Sequence, residues 1–453
     1  MSPVRVRVVV LNYNGGAHVA RAVEHLVRTD WPADQLELVV VDNASTDGSP
    51  EAIAERFPQV QVIRSPANLG FSGGNNLALR DRDGVDYIAL VNNDAFVEPG
   101  WLRPLVEALE ADPTVGAANA KILFEPRFAE VTLRTEAFVP DSADTRALGV
   151  QVHGIEAAGE DAMWKARFMS GFHDREPAFR WSTGEGTMWI PLPSDAEPPV
   201  TAVVRLAAER DKWAELSSGE ETVRATVGVE PSDVEVKLPG PLFDVINNAG
   251  SLMIEGAHGA DRGFWERDDG RFDRVVETFA WCGNGVLLSS RYLDDVGLFD
   301  DVYFMYYEDF DLSWRGRLRG WRYICVPQSV VRHRHASSLG ENSPTFDHYV
   351  HRNRLVTLVK NAPGPFVTRQ LRLYVRDLVQ LVNGELVQPA LRRLPVQANY
   401  SARRGRSLAA FVKLLPHALR ERRRAESEHA VDRADLLDWA VPQEVWLNAI
   451  PPS

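Results

Sequence analysis

Between residues 4 and 124, apolar runs of strand length alternate with segments of helical spacing, and this rhythm limits the chain to few folds. Residues 4–11 form an apolar run. Residues 17–29 carry Val19, Val23, Leu26 and Val27 at helical intervals, and 36–41 form a second run ending at Asp42. Ser49 is placed to cap a helix with Pro50 at its first position. A third strand at 60–63, a helix at 71–80 and a fourth strand at 87–91 follow. Such alternation predicts an α/β fold with a mostly parallel sheet and helices on both faces. Ligands in that architecture sit beyond the carboxyl ends of the strands. Asn12-Tyr13-Asn14, Asp42-Asn43 and Asn92-Asn93-Asp94 all fall at those ends. One site can therefore collect all three.

The rhythm changes after Phe124. Short alternating runs at 131–134, 201–206, 223–229 and 234–236, separated by Pro, Gly and Asp turns, predict an antiparallel β-sandwich. From Phe279 apolar strand and helix segments return, so the middle reads as an insertion. The expected division is 1–124 with 276–362 as a discontinuous α/β domain, 125–275 as the inserted sandwich, and 363–453 as a basic amphipathic helical region. With 453 residues the chain is long enough for two or three domains. Residues 360–424 hold 14 Lys+Arg against 3 Asp+Glu, whereas 125–275 hold 28 acids against 16 bases. The two segments are expected to face different surroundings. An overall net charge of −13 argues against nucleic acid as a partner. Two cysteines, Cys282 and Cys325, are too few for a disulfide framework and fit a reducing cytoplasm. The chain enters its first strand without the apolar core or cleavage site of a signal peptide, and no apolar run is long enough to span a bilayer.

Each polar motif has a plain structural reading beside the functional one. Asp42 at the end of a strand suits a nucleobase N–H or ribose hydroxyl, and equally an Asx turn with a helix cap. The glycine-rich run Asn68-Leu69-Gly70-Phe71-Ser72-Gly73-Gly74-Asn75-Asn76 allows close backbone approach and offers helix N–H groups to phosphate, without either common phosphate-loop spacing. Asp94, flanked by amide side chains, suits Mg²⁺ or Mn²⁺ on a diphosphate, or a polar turn. Glu308, Asp309 and Asp311 follow a dense aromatic stretch. Burial there raises a carboxyl pKa towards that of a general base, while a helix N-terminus favours acids for its dipole alone. Arg332-His333-Arg334-His335 offers an imidazole to a metal and guanidinium groups to phosphate. Trp181 and Trp189 suit stacking on sugar rings, although core packing is the commoner role in such sheets.

Taken in order, these motifs resemble the inverting family 2 glycosyltransferases of GT-A fold, and among them the rhamnosyltransferase-type members of bacterial surface polysaccharide synthesis. The likeness covers residues 4–124 and 278–362. It includes residues 11–14, 42–49 and 68–71, then Gly73, Gly74, Asn76, Asn92, Asn93 and Asp94, and later 297–300, 306–312 and His333. The resemblance implies a nucleotide-sugar site of Asn12, Tyr13, Asn14, Asp42, Asn43, Asn68, Gly70, Phe71, Gly74, Asn76, Asn92 and Asn93. Within it Asp42 would meet the base and Tyr13 the nucleoside. Asp94 and His333 would hold a divalent cation, Mg²⁺ or Mn²⁺, with His335 as the alternative imidazole. Asn92 stands where the family's metal motif has its first Asp. Asp309 matches the catalytic base, Glu308 stands beside it, and Trp281, Cys282 and Gly283 would face the acceptor.

The implied partners are a nucleotide-diphosphate sugar, dTDP-rhamnose before a UDP-sugar, and a saccharide or lipid-linked acceptor. The Arg-rich terminal helices predict peripheral contact with anionic membrane at the cytoplasmic face, or simple packing on the catalytic domain. The insert reads as a glycan-binding module or a partner surface. A nucleotidyltransferase, or a glycan-binding protein with a degenerate transferase domain, are the competing readings of the whole chain.

Overall fold

A computed structural model describes residues 4–140, 144–163, 165–334, 343–396 and 398–447. It divides into two compact units. One comprises residues 1–122, 248–262 and 271–446, the other 123–247, 263–270 and 447–453.

The first unit opens with β1 (Val6–Asn12), α1 (Gly16–Leu26), β2 (Leu36–Asp42), α2 (Ser49–Arg56), β3 (Gln61–Arg64), α3 (Gly70–Leu79), β4 (Tyr87–Asn92), β5 (Ala95–Val97), α4 (Leu102–Ala111) and β6 (Val115–Phe124). β1 lies parallel between β2 and β4, and β3 extends the sheet beyond β2. Burial on both faces explains the near-continuous Val and Leu runs of β1, β2 and β4. Val8, Val10, Val40 and Val91 face one core with α1 and α4, while Val9, Val41 and Leu90 face another with α3.

The second unit is all β: β7 (Arg127–Thr135), β8 (Gln151–Ala157), β9 (Glu160–Asp161), β10 (Arg167–Phe172), β11 (Arg180–Leu192), β12 (Val200–Ala207), β13 (Lys212–Ser218), β14 (Glu221–Val227) and β15 (Ser232–Leu238). Strand order is β14-β13-β7-β11-β8-β12-β15. The long β11 pairs with β8 at its start and with β7 along its second half. The sheet thereby folds over, and both halves share one apolar core including Val131, Val152, Ile190, Val204, Leu216 and Val236. Alternating burial along β15 shows the period of two that makes such a face. Trp181 and Trp189 are buried, the first edge-on to Phe138 and Phe179, the second against Phe243 with its Nε1 donating to Glu130. Neither ring is a sugar platform.

After β16 (Ile246–Asn248) the chain re-enters the first unit through a hairpin, β17 (Ser251–Ile254) and β18 (His258–Asp261), well before the expected boundary at 275/276. β19 (Val276–Glu277), β20 (Val286–Ser289), α5 (Ser290–Val296), α6 (Glu308–Leu318), β21 (Arg322–His333), α7 (Pro344–Asn361), α8 (Gly364–Val382), α9 (Gln388–Leu391) and α10 (Tyr400–Ala425) complete it. The sheet order is β19-β21-β6-β20-β4-β1-β2-β3, with β5 on β21. β20 runs antiparallel to β4 and β6, so the parallel half, β3-β2-β1-β4, is continued by antiparallel strands. The terminal helices belong to this unit. Leu355, Val356 and Val359 of α7 share a core with Phe411 and Ala418 of α10 and with Phe310 and Trp314 of α6.

Candidate active site

Parallel register sets the site. Asn12 pairs with Asp42, and Leu11 with Asn92, so the three polar clusters meet at one sheet edge. Asn12 is wholly buried and ties this edge together. Its Nδ2 donates to Ser45 Oγ (3.2 Å) and Ser49 Oγ (2.9 Å), and its Oδ1 accepts from the Gly15 amide (3.1 Å). Asn14, in a left-handed conformation, accepts from the Thr46 amide at 2.8 Å. Asp42 is buried and closes an Asx-type turn by accepting from Ser45 N (3.1 Å). Tyr13 is 50% exposed beside them. The cap of α2 differs from expectation: Asp47 Oδ1 accepts from both the amide and hydroxyl of Ser49, which is itself helical.

The glycine-rich run is a packing device. Gly70 has φ +68°, and a Cβ there would lie 2.3 Å from the Phe304 carbonyl. That carbonyl accepts from the amides of Phe71 and Ser72, so these N–H groups of α3 are committed within the protein and are not offered to phosphate. Asn43 Nδ2 donates to Asn68 Oδ1 and the Gly70 carbonyl, while its Oδ1 accepts from Leu69 N. Gly74 lets α3 close on Leu11. Asn76 Nδ2 donates to the Phe299 carbonyl and Asp301. Gly70 and Gly74 therefore build the loop, and Asn76 does so through its Nδ2, while its Oδ1 has no hydrogen-bond partner.

Asp94 follows β4 and is 6% exposed. β21 pairs with β5 so that His333 stands opposite Ala95, which sets His333 Nε2 3.2 Å from Asp94 Oδ1. Asn92 donates its amide to Asn284 Oδ1, and Asn93 Nδ2 lies 3.5 Å from Asn12 Oδ1. A carboxylate beside an imidazole suits Mg²⁺ or Mn²⁺, the remaining positions being taken by diphosphate oxygens and water. Among the described residues no three His, Cys, Asp or Glu side chains group as a metal cage. His335 lies outside the described residues.

The three acids opening α6 have different fates. Asp311 is wholly buried, with Oδ2 accepting from Lys360 (2.8 Å) and Arg315 (3.0 Å) and Oδ1 from Asn361 (2.9 Å). Glu308 is 6% exposed, and its Oε2 finds no hydrogen-bond partner. Burial first, and Asp309 adjacent, push its pKa well up. Asp309 accepts from Gly283 N (3.0 Å) and its neighbour Phe310 N (2.7 Å). Burial raises its pKa to about 6, the two amide bonds opposing the rise. Gly283 is needed for this approach, since a Cβ there would press within 2.9 Å of the Phe71 ring. Asn119 clamps the neighbouring Cys282 through both its amide and its carbonyl, and burial with Asp261 and Asp309 nearby keeps that cysteine a thiol. Trp281, expected at the acceptor, is a core residue at 1% exposure packed edge-on to Phe299.

Sequence reasoning missed what holds this loop. Phe304, Tyr306 and Tyr307 all have positive φ (64–70°), a conformation unfavourable for aromatic residues. Asn353 Nδ2 of α7 reaches the carbonyls of Tyr303, Met305 and Tyr306, and Arg352 Nη2 donates to those of Val302 and Tyr303. No local pattern in the sequence pairs 352–353 with 302–306.

Residues 7–158 match the family model Glycosyl transferase family 2. The N-acetylglucosaminyl-diphospho-decaprenol L-rhamnosyltransferase of Mycobacterium tuberculosis is 22% identical over 405 residues, covering 85% of this chain and 94% of the relative. The beta-monoglucosyldiacylglycerol synthase of a Synechocystis strain is 27% identical over 235 residues, 47% of each chain. Among solved structures, GalNAc-T7 with UDP, GalNAc and Mn²⁺ aligns at a TM-score of 0.49 and 11% identity, covering 100% of this chain and 58% of that one. The segment that forms the sheet-edge site therefore lies within the part of the chain that resembles family 2 glycosyltransferases.

Proposed function

We propose that this protein is an inverting transferase that moves a sugar from a nucleotide diphosphate to a saccharide or lipid-linked acceptor in bacterial cell-surface glycan synthesis. The sugar read here is rhamnose from dTDP-rhamnose, with a UDP-sugar next. One observation carries the reading: a carboxyl raised to about 6, Asp309, held by the Gly283 amide in the unit whose sheet edge gathers Asp42, Asp94 and His333. The mycobacterial relative supports rhamnose and a lipid diphosphate acceptor.

Asp309 takes the proton of an acceptor hydroxyl while that oxygen bonds to the anomeric carbon of the donor. The bond from that carbon to the diphosphate oxygen breaks, its electron pair leaving with the nucleotide, and attack from the opposite face inverts the centre. Asp42 and Tyr13 hold the nucleoside. Asp94 and His333 would hold the cation, whose chemistry is to neutralise charge on the departing diphosphate. Burial favours the uncharged form of Glu308, which limits the charge beside Asp309.

A thermal-shift panel of dTDP, UDP and GDP with their sugars, each with and without Mn²⁺ or Mg²⁺, tests the donor side. At a hundredfold excess over Kd, stabilisation of about 2.7 kcal/mol is expected for dTDP with metal and none for GDP. Absence of any nucleotide-dependent shift would sink the transferase reading.

Membrane attachment is part of the same proposal. No helix among the described residues is long and apolar enough to cross a membrane. Yet the apolar side of α8 and the segment after it is uncovered: Val379 is 60% exposed and Leu391 73%, with Val375, Val387 and Leu394 also outward. Exposed Arg372, Arg376, Arg392 and Arg393 alternate with them. Such a surface binds anionic lipid through both terms, with about 1 kcal/mol per basic residue near the headgroups. Flotation should show the protein on anionic vesicles and not on neutral ones; failure to float with anionic vesicles refutes this part.

A further inference from the structure

Beside Tyr307 the fold gathers two arginines and two histidines. Arg354 of α7 is 6% exposed. Its Nη2 donates to the Gly256 carbonyl and to Gln370 Oε1, while its Nε has no hydrogen-bond partner. A Cβ at Gly256 would lie 3.2 Å from both that Nη2 and His258 Cδ2, so Arg354 and His258 flank the hairpin turn together. One helical turn back from Arg354, His351 packs on Tyr374 with ring centroids 6.2 Å apart. Tyr374 Oη donates to the Arg404 carbonyl, and the Arg404 guanidinium sits 5.9 Å from the Tyr374 ring. The acid acting on this group is Asp347, already paired with Arg403 at 3.3 Å.

Burial first, and the neighbouring arginines second, push His258 down to about 3 and His351 down to about 4; burial, with Arg404 and against Tyr307, lowers Arg354. Both imidazoles are therefore neutral hydrogen-bonding groups at physiological pH, between two fixed guanidinium charges. A fold gains no stability from such crowding, whereas an anion would relieve it. The place is also suitable. Gly259, next to His258, would bring a Cβ within 3.2 Å of the Phe310 ring, and Phe310 follows Asp309 directly. Tyr307 packs edge-on to the same ring.

We infer that Arg354, Arg404, His351 and His258 form a seat for a diphosphate group carried by the acceptor, one side-chain layer from Asp309. The inference rests on the reading of the protein as a transferase with a lipid-linked or saccharide acceptor. It adds the chemistry by which that acceptor is recognised. The same seat would take free pyrophosphate, and the experiment separates the two sources.

Inorganic pyrophosphate is titrated onto the full chain in chelator, so that the cation-dependent donor site contributes nothing. Binding is expected, and Arg404→Gln should weaken it about tenfold. Arg404 is partly exposed; the melting temperature of the unliganded variant confirms folding, and His351→Gln serves as the second variant. Affinity for dTDP with Mn²⁺ should stay within twofold. In transfer assays, Arg404→Gln should raise KM about tenfold for a glycosyl-diphosphate acceptor and leave KM for the matching methyl glycoside unchanged. No pyrophosphate binding by the wild type, or equal binding by wild type and both variants, overturns the inference even if transfer proceeds. An equal rise in KM for both acceptors overturns it too. Binding that depends on Arg404 in a chain that transfers no sugar would leave the anion seat standing for free pyrophosphate, and would remove the transferase reading instead.

Discussion

Replacing Asp309 with Asn should lower sugar transfer by about a thousandfold or more while nucleotide affinity stays nearly constant. An amide cannot take the acceptor proton, and positioned general bases contribute about 10²–10⁴ in rate. The substitution keeps the shape and one of the two hydrogen bonds now made by Gly283 N and Phe310 N, so folding should survive. Asp42 and Asp94 come from other elements and keep their places. The wild-type pH profile belongs to the same prediction. Asp309 is the base only when ionised, so with a pKa of about 6 its rate should fall tenfold per unit of pH below that value. The Asn variant should lack this limb. If nucleotide binding and transfer vanish together in Asp309→Asn, the carboxylate is a ligand contact or a structural group and the assignment fails.

The second large effect concerns stability. Lys360 Nζ lies 2.8 Å from Asp300 Oδ2 and 2.8 Å from Asp311 Oδ2, and His417 Nε2 donates to Asp300 at 2.8 Å. This chain of charges fastens α6 to α7 and α10. Lys360→Met keeps the aliphatic stem but leaves two buried carboxylates without their shared cation. About 3–5 kcal/mol of destabilisation is expected in a denaturant titration. A loss below ~1 kcal/mol would show that His417, Arg315 and Asn361 satisfy the two acids unaided. The same network has a pH signature. Burial raises the Asp300 and Asp311 pKa values, but Lys360, with His417 on Asp300 and Arg315 on Asp311, lowers both below 3.8. Their folded values lie under the unfolded one, so the stabilisation is complete above about pH 4 and disappears as pH falls further. Wild-type stability should therefore drop on acidification below pH 4, and the Lys360→Met protein should show a smaller drop over that range.

Much of this protein was legible without coordinates. The strands at 4–11, 36–41, 60–63 and 87–91 appear within a residue or two as β1 to β4. Their meeting at Asn12, Asp42 and Asn92 follows from parallel pairing. Period, turn chemistry and strand-end polarity are local properties, written in consecutive residues, and a parallel sheet turns them into a shared edge. The return into the α/β unit at 248 was less visible, because a short antiparallel hairpin has the same alternation whichever unit it joins.

The chemistry of individual side chains was decided elsewhere. Glu308, Asp309 and Asp311 share one helical turn and one kind of group. Yet burial pushes the pKa of the first well up, raises that of the second to about 6, and is outweighed at the third by a lysine 49 residues on. The glycine-rich run became packing because the carbonyl of Phe304, far along the chain, occupies the α3 amides. Trp281 became core for the same kind of reason. Desolvation and hydrogen-bond partnership depend on whatever the fold brings within about 4 Å, and in a chain of this length those neighbours are tens to hundreds of residues away. The amino-acid order settles which strands form and where their polar ends gather; only the assembled tertiary structure determines which carboxyl keeps its proton.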